Sequence, residues 1–388
     1  MSRPVAFYAP LKPPGHPIPS GDRRMARALL DALAAAGHGG LLASRLRSYD
    51  RYGDVERQRR IRALGERCVA RLLRRYRAGP TEARPRTWLT YHAYHKSPDW
   101  LGPAVADALG IPYLVAEASF APKQAGGPWA LGHAASERAI RRADVVLVMT
   151  ARDAGCLAPL VEPPAELRRL PPFLDPTPYQ SARAGRAGHR AALAGQLGLD
   201  PGQIWLLAVA MMRQDVKLTS YRLLGEAVAR LGQGPWQLLV VGDGPARAET
   251  EALLQQAARG RVRFAGAVPE AALPAFYAAA DLLVWPAVRE AYGLAMLEAQ
   301  AAGLPVVAGR EGGVAEVVQD GRTALLTAPG DPAALAAAAG RLLLAPLQRQ
   351  AMGTAAARFV ARERSLQQAA ATLKAALEAA PAIRTARR

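Results

Sequence analysis

Residues 289–313 read REAYGLAMLEAQAAGLPVVAGREGG, and their order is loop, short helix, glycine stop and apolar strand. Leu294, Leu297 and Ala301 recur at i, i+3 and i+7, which marks one apolar face of a helix from about Gly293 to Ala302. Gly303 closes that helix and Pro305 opens the next strand. Strand, helix and strand in succession is the repeat of a parallel α/β sheet. One residue sits awkwardly in it. Glu298 lies four residues after Leu294, about 40° from its direction on the helical wheel, so a carboxylate falls at the edge of the core face. A buried charge is costly unless it is paired or hydrogen-bonded. Two partners are open: a basic neighbour in a salt bridge, or the hydroxyls of a bound ligand such as a ribose. In open α/β sheets, ligands gather beyond the carboxyl ends of strands, where helix N-termini present free N–H groups. The amides around Tyr292, Gly293 and Leu294 therefore suit a phosphate, and Gly293 lets the backbone approach it closely.

The same alternation runs outward through the 388 residues. VAFYA, TWLTYHAY, PYLVAEAS and DVVLVMT read as strands in the first half. QIWLLAVAM, WQLLVVGDG, VRFAGAV, DLLVWPA, PVVAG and TALLTAP follow in the second. The six prolines within residues 161–180 mark a boundary. This spacing predicts two doubly wound Rossmann-like domains, residues 1–178 and 179–365, facing each other across a cleft. A final helix and tail over 366–388 is placed to pack back on the first domain. The helix of TSYRLLGEAVARL is expected to start at a Thr219 or Ser220 cap.

The chain carries 50 basic and 32 acidic residues, a net charge of +18. Only five of the 50 are lysine (Lys12, Lys96, Lys123, Lys217 and Lys374), a bias that codon usage in a GC-rich genome produces. Residues 45–86 hold 14 basic and 5 acidic side chains, net +9. Such a surface attracts nucleic acid, anionic lipid or a phosphorylated substrate. No aromatic-interleaved basic patch of the nucleic-acid kind occurs, so nucleic acid is not expected as a partner. Ile61, Leu64, Cys68, Leu72 and Tyr76 recur at helical spacing within this basic segment. The stripe either docks on an anionic membrane or packs on its own sheet. The two cysteines, Cys68 and Cys156, form no metal-binding or disulfide pattern. With no signal peptide and no long apolar run, a cytoplasmic location is expected, with peripheral contact at the inner face of the membrane as an extension.

The residues now carry a resemblance. Glu290, seven residues, Glu298, then Gly303-x-Pro305-Val-Val and Gly312-Gly313-x-x-Glu316, resembles the signature of retaining glycosyltransferases of family 4, which have the GT-B fold. RQDVK (213–217) is similar to that family's basic loop, VVGDGP (240–245) to its Gly-Asp-Gly-Pro turn, and VRFAGAVPEAALPAFYAAADLLVWPA to the segment before the signature. The likeness is good over about 204–375 and weak before it. Ala291-Tyr292 departs from the usual Gly-Phe but keeps an aromatic.

The resemblance implies a sugar transfer from a UDP-, GDP- or ADP-linked donor to a glycan, lipid or small-molecule acceptor, with retention. Glu290, Arg213 and Lys217 would be catalytic, the two cations stabilising the departing diphosphate. Glu298 would hold the ribose, with Tyr292, Gly293, Leu294, Gly242, Asp243 and Gly244 completing the donor site. It implies no cofactor and no metal.

In the first half, Ser20 and Gly21, with Asp22, either cap the first helix or face the ligand. TYHAYHKSPDW (90–100) and AEASFAPKQAGGPW (116–129) leave strand ends. The family's histidine falls at Ala118 here, so its role passes to Glu117, His92 or His95, or is absent. Lys123, with Lys12 and Lys96, lies in the same loops and suits an anionic acceptor or the diphosphate.

The rival readings are another GT-B enzyme (a phosphorylase or nucleotide-sugar epimerase) and a non-catalytic nucleotide- or nucleic-acid-binding protein. A dinucleotide dehydrogenase is disfavoured because no G-x-G-x-x-G follows the first strand.

Overall fold

The computed structural model describes residues 4–18 and 20–387. Residues 1–3, Pro19 and Arg388, which fall in the first domain and the tail as read from the sequence, lie outside the described residues. The chain divides into two compact units, Met1–Pro171 with Leu366–Arg388, and Pro172–Ser365. Each is built on one six-stranded sheet among the described residues.

In the first unit the strands are β1 (Val5–Tyr8), β2 (Gly40–Ser44), β3 (Thr87–Ala93), β4 (Tyr113–Ala118), β5 (Val145–Val148) and β6 (Glu166–Arg169). They pair in parallel in the order β2-β1-β3-β4-β5-β6. The inner strands are largely apolar without alternation because helices cover both faces of a parallel sheet. The two edge strands were not apparent in the sequence. GLLAS is short and half-exposed, and ELRR lies in the proline-rich boundary and shows no apolar period. Only pairing with β1 and β5 makes them strands.

The helix Val55–Ala78 turns Ile61, Cys68, Leu72 and Tyr76 into the core, while Leu64 stays exposed. Most of the amphipathic stripe therefore packs on its own sheet. The last helix, Leu366–Ala386, packs against Gly21–Ala35, and Arg384 reaches Asp107 at 3.5 Å. None of the described helices is long and apolar enough to cross a membrane.

The second unit holds β7 (Ile204–Val209), β8 (Trp236–Val241), β9 (Val262–Gly266), β10 (Leu282–Trp285), β11 (Val306–Gly309) and β12 (Ala324–Thr327). Their parallel order is β12-β11-β10-β7-β8-β9. Asp281, at the start of β10, accepts from the Trp205 N–H at 2.8 Å and pairs with Arg186 at 2.6 Å and Arg190 at 3.0 Å. That ties the helix Arg186–Leu197 to the sheet. The helix after β7 runs Val216–Ala229 and so starts before the expected cap at Thr219 or Ser220. Asp215 is the cap, accepting from the Lys217 N–H at 2.9 Å. Ser220 instead donates to the Val216 carbonyl at 3.1 Å, inside the first turn.

The Gly242-Asp243-Gly244 turn leaves β8 against the segment that leaves β7. Asp243 O accepts from the Met212 N–H at 2.9 Å. Gly242 has φ +149°, and a Cβ there would stand 1.9 Å from the Ala210 carbonyl oxygen. Gly242→Ala should lose about 1–3 kcal/mol or more, measured by urea denaturation. An unchanged midpoint would mean that the Ala210–Met212 segment yields freely.

Candidate active site

In the second sheet the strand order reverses between β7 and β10, so the loops leaving these two strands part and open a crevice at their carboxyl ends. Lys217 stands in the first turn of the helix that follows the first loop, and Glu290 stands in the second loop. Lys217 Nζ donates to Glu290 Oε2 at 2.5 Å, with the side chains only 15% and 17% exposed. Trp285, the last residue of β10, places its ring centroid 5.6 Å from the same nitrogen. Tyr221 meets Trp285 edge-on at 5.0 Å and donates its hydroxyl to the Ala210 carbonyl at 2.8 Å. A cation and a carboxylate thus stand together beside an aromatic cluster, with little water to screen them.

The loop carrying Glu290 is held in an uncommon shape. Ala287 and Arg289 have φ of +63° and +47°, a region that side chains disfavour. Ser220 Oγ accepts from the Val288 N–H at 3.2 Å, and the Glu311 carboxylate accepts from the Arg289 N–H. From the other side Gly313 N–H donates to the Glu290 carbonyl at 3.3 Å. A Cβ on Gly312 would meet that carbonyl oxygen at 1.8 Å, so the Gly-Gly pair is a steric requirement of the loop. Next comes the helix Leu294–Ala301, with Gly293 in the left-handed conformation at its N-cap and no side chain capping it. Its first amides are therefore suited to an anion. Tyr292 beside them is buried.

The remaining donor-side candidates are placed differently. Arg213 pairs with Asp215 at 3.0 Å and is about half exposed. Gly242, Asp243 and Gly244 brace the Ala210–Met212 segment, and Asp243 also pairs with Arg247 at 3.1 Å. Glu298 is 1% exposed, and its Oε2 accepts from the Tyr277 hydroxyl at 2.8 Å. Tyr277 gave no sequence signal, since a hydroxyl 21 residues away on another helix shows no local pattern.

The first sheet reverses between β1 and β3, and a second cluster gathers there. His92 Nδ1 lies 3.1 Å from Asp22 Oδ1 and 3.5 Å from Glu117 Oε1. His92 and Glu117, the penultimate residues of β3 and β4, have φ of +59° and +55°. Asp153 adds a further carboxylate, accepting from Thr150 Oγ1 at 2.6 Å and reaching Ser119 Oγ at 3.5 Å. Burial is the largest influence on His92 and disfavours its charge. Glu117 and Asp22 outweigh it and push the ring up to about 9. Burial raises Glu117. For Asp22 burial is outweighed by His92, which holds the carboxyl low. His95 goes the other way: burial, Lys96, His133 and Lys123 lower it to about 4. Lys96 sits 4.2 Å over the Trp129 ring, and Lys123 is exposed in the same region.

Ser20 is a plain cap, accepting from the Arg23 N–H at 3.2 Å, and Gly21 is the exposed first residue of its helix. The neighbour that matters electrostatically is Asp22, which the sequence grouped with Ser20 and Gly21 as cap or ligand-facing. Asp153 was missed altogether. Its sole sequence trace is its position three residues after Thr150 at the end of β5.

Residues 203–345 match the family described as glycosyl transferases group 1. D-inositol 3-phosphate glycosyltransferase 2 from Catenulispora acidiphila is 38% identical over 189 residues, 46% of this chain and 44% of that protein. The chain spans about half the length of the curated relatives it matches. Sucrose-phosphate synthase from Thermosynechococcus elongatus superposes with a TM-score of 0.73 at 23% identity, covering 98% of this chain and 100% of that one. HepE from Anabaena, in complex with UDP and glucose, gives 0.70 at 15% identity, covering 97% and 100%. Residues 203–345 are thus similar to the group 1 glycosyl transferases, and the two six-stranded sheets match GT-B structures, the fold that the motifs implied.

The His92 cluster makes stability depend on pH. A ring raised to about 9 from 6.5 favours the folded state when protonated. That contribution is complete below about 6.5 and fades as pH rises through 9, at most about 3 kcal/mol. The melting-temperature gap between the native protein and His92→Gln should be wide at pH 6.5 and narrow by pH 10. A gap that stays constant would rule out the charged ring.

Proposed function

We propose that the chain is a glycosyltransferase, moving a sugar from a nucleotide-sugar donor to an acceptor with retention of configuration, as its family-4 resemblance implies. The observation that carries this is the Lys217–Glu290 pair, 2.5 Å apart at the switch point of the second sheet, beside a helix started by glycine. In this reading the second unit takes the donor. Lys217 and Arg213 neutralise the diphosphate as its charge grows, with the Tyr292–Leu294 amides adding fixed dipoles. Glu290 contacts the transferred sugar. Glu298, oriented by Tyr277, takes the ribose hydroxyls, and the Gly242–Gly244 turn flanks the nucleotide. The acceptor attacks the face from which the diphosphate leaves, with little help from a protein base. Because cations and amides carry the charge, the scheme requires no metal. UDP is the first nucleotide to try, since HepE is bound to UDP and glucose.

The first unit takes the acceptor, a glycan, a lipid or a small molecule. His92, charged by Asp22 and Glu117, takes the role that the family gives to a histidine at the position of Ala118. Lys12, Lys96 and Lys123 favour an anionic group on that acceptor or on the donor. The basic 45–86 segment supports peripheral contact with an anionic membrane at its cytoplasmic face. Its apolar stripe is mostly buried, so that contact is electrostatic and falls with salt.

A thermal-shift series with UDP, GDP and ADP and their sugars should stabilise the protein with one base, by about 2.7 kcal/mol at a ligand concentration a hundred times Kd. No shift with any of them sinks the proposal. Two variants divide the roles. Lys217→Ala should lower turnover about a hundredfold or more while folding normally. Glu298→Gln keeps an acceptor for Tyr277 and should weaken nucleotide binding at near-native stability, whereas Glu298→Ala also loses about 1–3 kcal/mol of stability. If Glu298→Gln binds nucleotide like the native protein, Glu298 is structural only.

A further inference from the structure

A groove of about 420 Å³ lies in the first unit, between β2 and the helix Val55–Ala78. Arg45, just past the end of β2, and Arg71 and Arg75 on the helix line it, over a floor that includes Ser44, Cys68 and Leu72. Cys68, Arg71, Leu72 and Arg75 follow i, i+3, i+4 and i+7, so they share one helix face. The apolar pair turns into the core and leaves the two guanidinium groups along its border.

Charge is distributed unevenly along this helix. In its first half Arg59 pairs with Glu56 at 2.6 Å and Arg62 with Glu66 at 3.0 Å. From Arg67 to Arg77 there are five arginines and no carboxylate. Arg71 donates to Cys68 Sγ at 3.2 Å, and Arg75 donates to the Tyr76 hydroxyl at 2.9 Å. Among the described residues, Arg45, Arg71 and Arg75 form no salt bridge. The C-terminal end of a helix favours a cation such as Arg75. That effect fades within one turn and does not reach Arg45, which belongs to another element.

We propose that this groove binds a phosphate-bearing ligand through Arg45, Arg71 and Arg75. Three guanidinium groups around one concavity repel each other unless an anion sits among them. Guanidinium forks match phosphate oxygens, several of which accept at once. The groove is larger than a phosphate ion, and its partly apolar floor suits a ligand with a body attached. Two sources share this chemistry: a soluble phosphomonoester and a phospholipid headgroup. The lipid source rests on the membrane-contact reading above, whereas the site itself does not.

The test uses the full chain with UDP present in excess, so that a nucleotide site does not compete for the probe. Calorimetric titration with glycerol 3-phosphate, and with glycerol as its phosphate-free counterpart, reads the soluble arm. Co-sedimentation with phosphatidylglycerol or phosphatidylcholine vesicles reads the lipid arm. Arg71→Ala/Arg75→Ala should weaken whichever phosphate probe binds by about tenfold or more. Arg59→Ala/Arg62→Ala removes equal charge outside the groove and should change binding less than about twofold. If the alanine pair unfolds, Arg71→Gln/Arg75→Gln retains the packing stems and is read instead. Glycerol 3-phosphate binding without vesicle binding upholds the site and defeats the membrane reading. Vesicle binding lost only in the groove variant upholds both. The inference is overturned if neither phosphate probe binds, or if the Arg59/Arg62 variant loses as much as the groove variant.

Discussion

Parallel strands joined by helices must add outward in two directions from a starting strand, and where the direction reverses the connecting loops separate. Both sheets obey this constraint, between β1 and β3 in the first unit and between β7 and β10 in the second. A cluster of opposite charges stands at each of these two points. The second sheet holds Lys217 against Glu290, and the first holds His92 against Asp22 and Glu117. Neither group would be stable on a plain parallel sheet, whose inner strands are apolar throughout. The fold supplies the crevice, and strand ends, helix starts and one loop supply the charge.

The two sites use different means to keep charge where burial opposes it. In the second unit a cation and a carboxylate meet directly at the edge of an aromatic cluster. The loop bearing Glu290 is fixed by left-handed residues and by two glycines that admit its carbonyl. In the first unit one imidazole is shared by two carboxylates and is driven up to about 9, while His95, three residues on, is lowered to about 4. At neutral pH this favours a protonated ring at His92 and a neutral one at His95. Such a separation suits chemically identical side chains to different tasks.

What the sequence disclosed followed from how local each signal was. The helix and strand of residues 289–313 were legible because apolar spacing, Gly303 and Pro305 act within a few residues. Lys217 and Glu290 were legible as types at set positions, although their contact spans 73 residues. The partner of Glu298 was not legible. Beside the base and the ligand considered there, Tyr277 donates a hydroxyl from another helix. Asp153 and the edge strands β2 and β6 escaped for the same reason: their meaning comes from neighbours across the sheet. The Asp215 cap was local and was passed over because Thr219 and Ser220 lie closer to the apolar run.

The arginine excess looks uniform in composition and is not uniform in use. Arg186 and Arg190 converge on Asp281 and secure a helix to the second sheet. Arg59 and Arg62 are balanced by glutamates on their own helix, and such exposed pairs contribute little to stability. Arg45, Arg71 and Arg75 line a concavity with no opposing carboxylate among the described residues. Codon usage accounts for arginine in place of lysine, since both are cations. It does not account for where carboxylates are withheld. A helix able to neutralise its first half had the same means for its second, so the unbalanced half is a property of the surface itself.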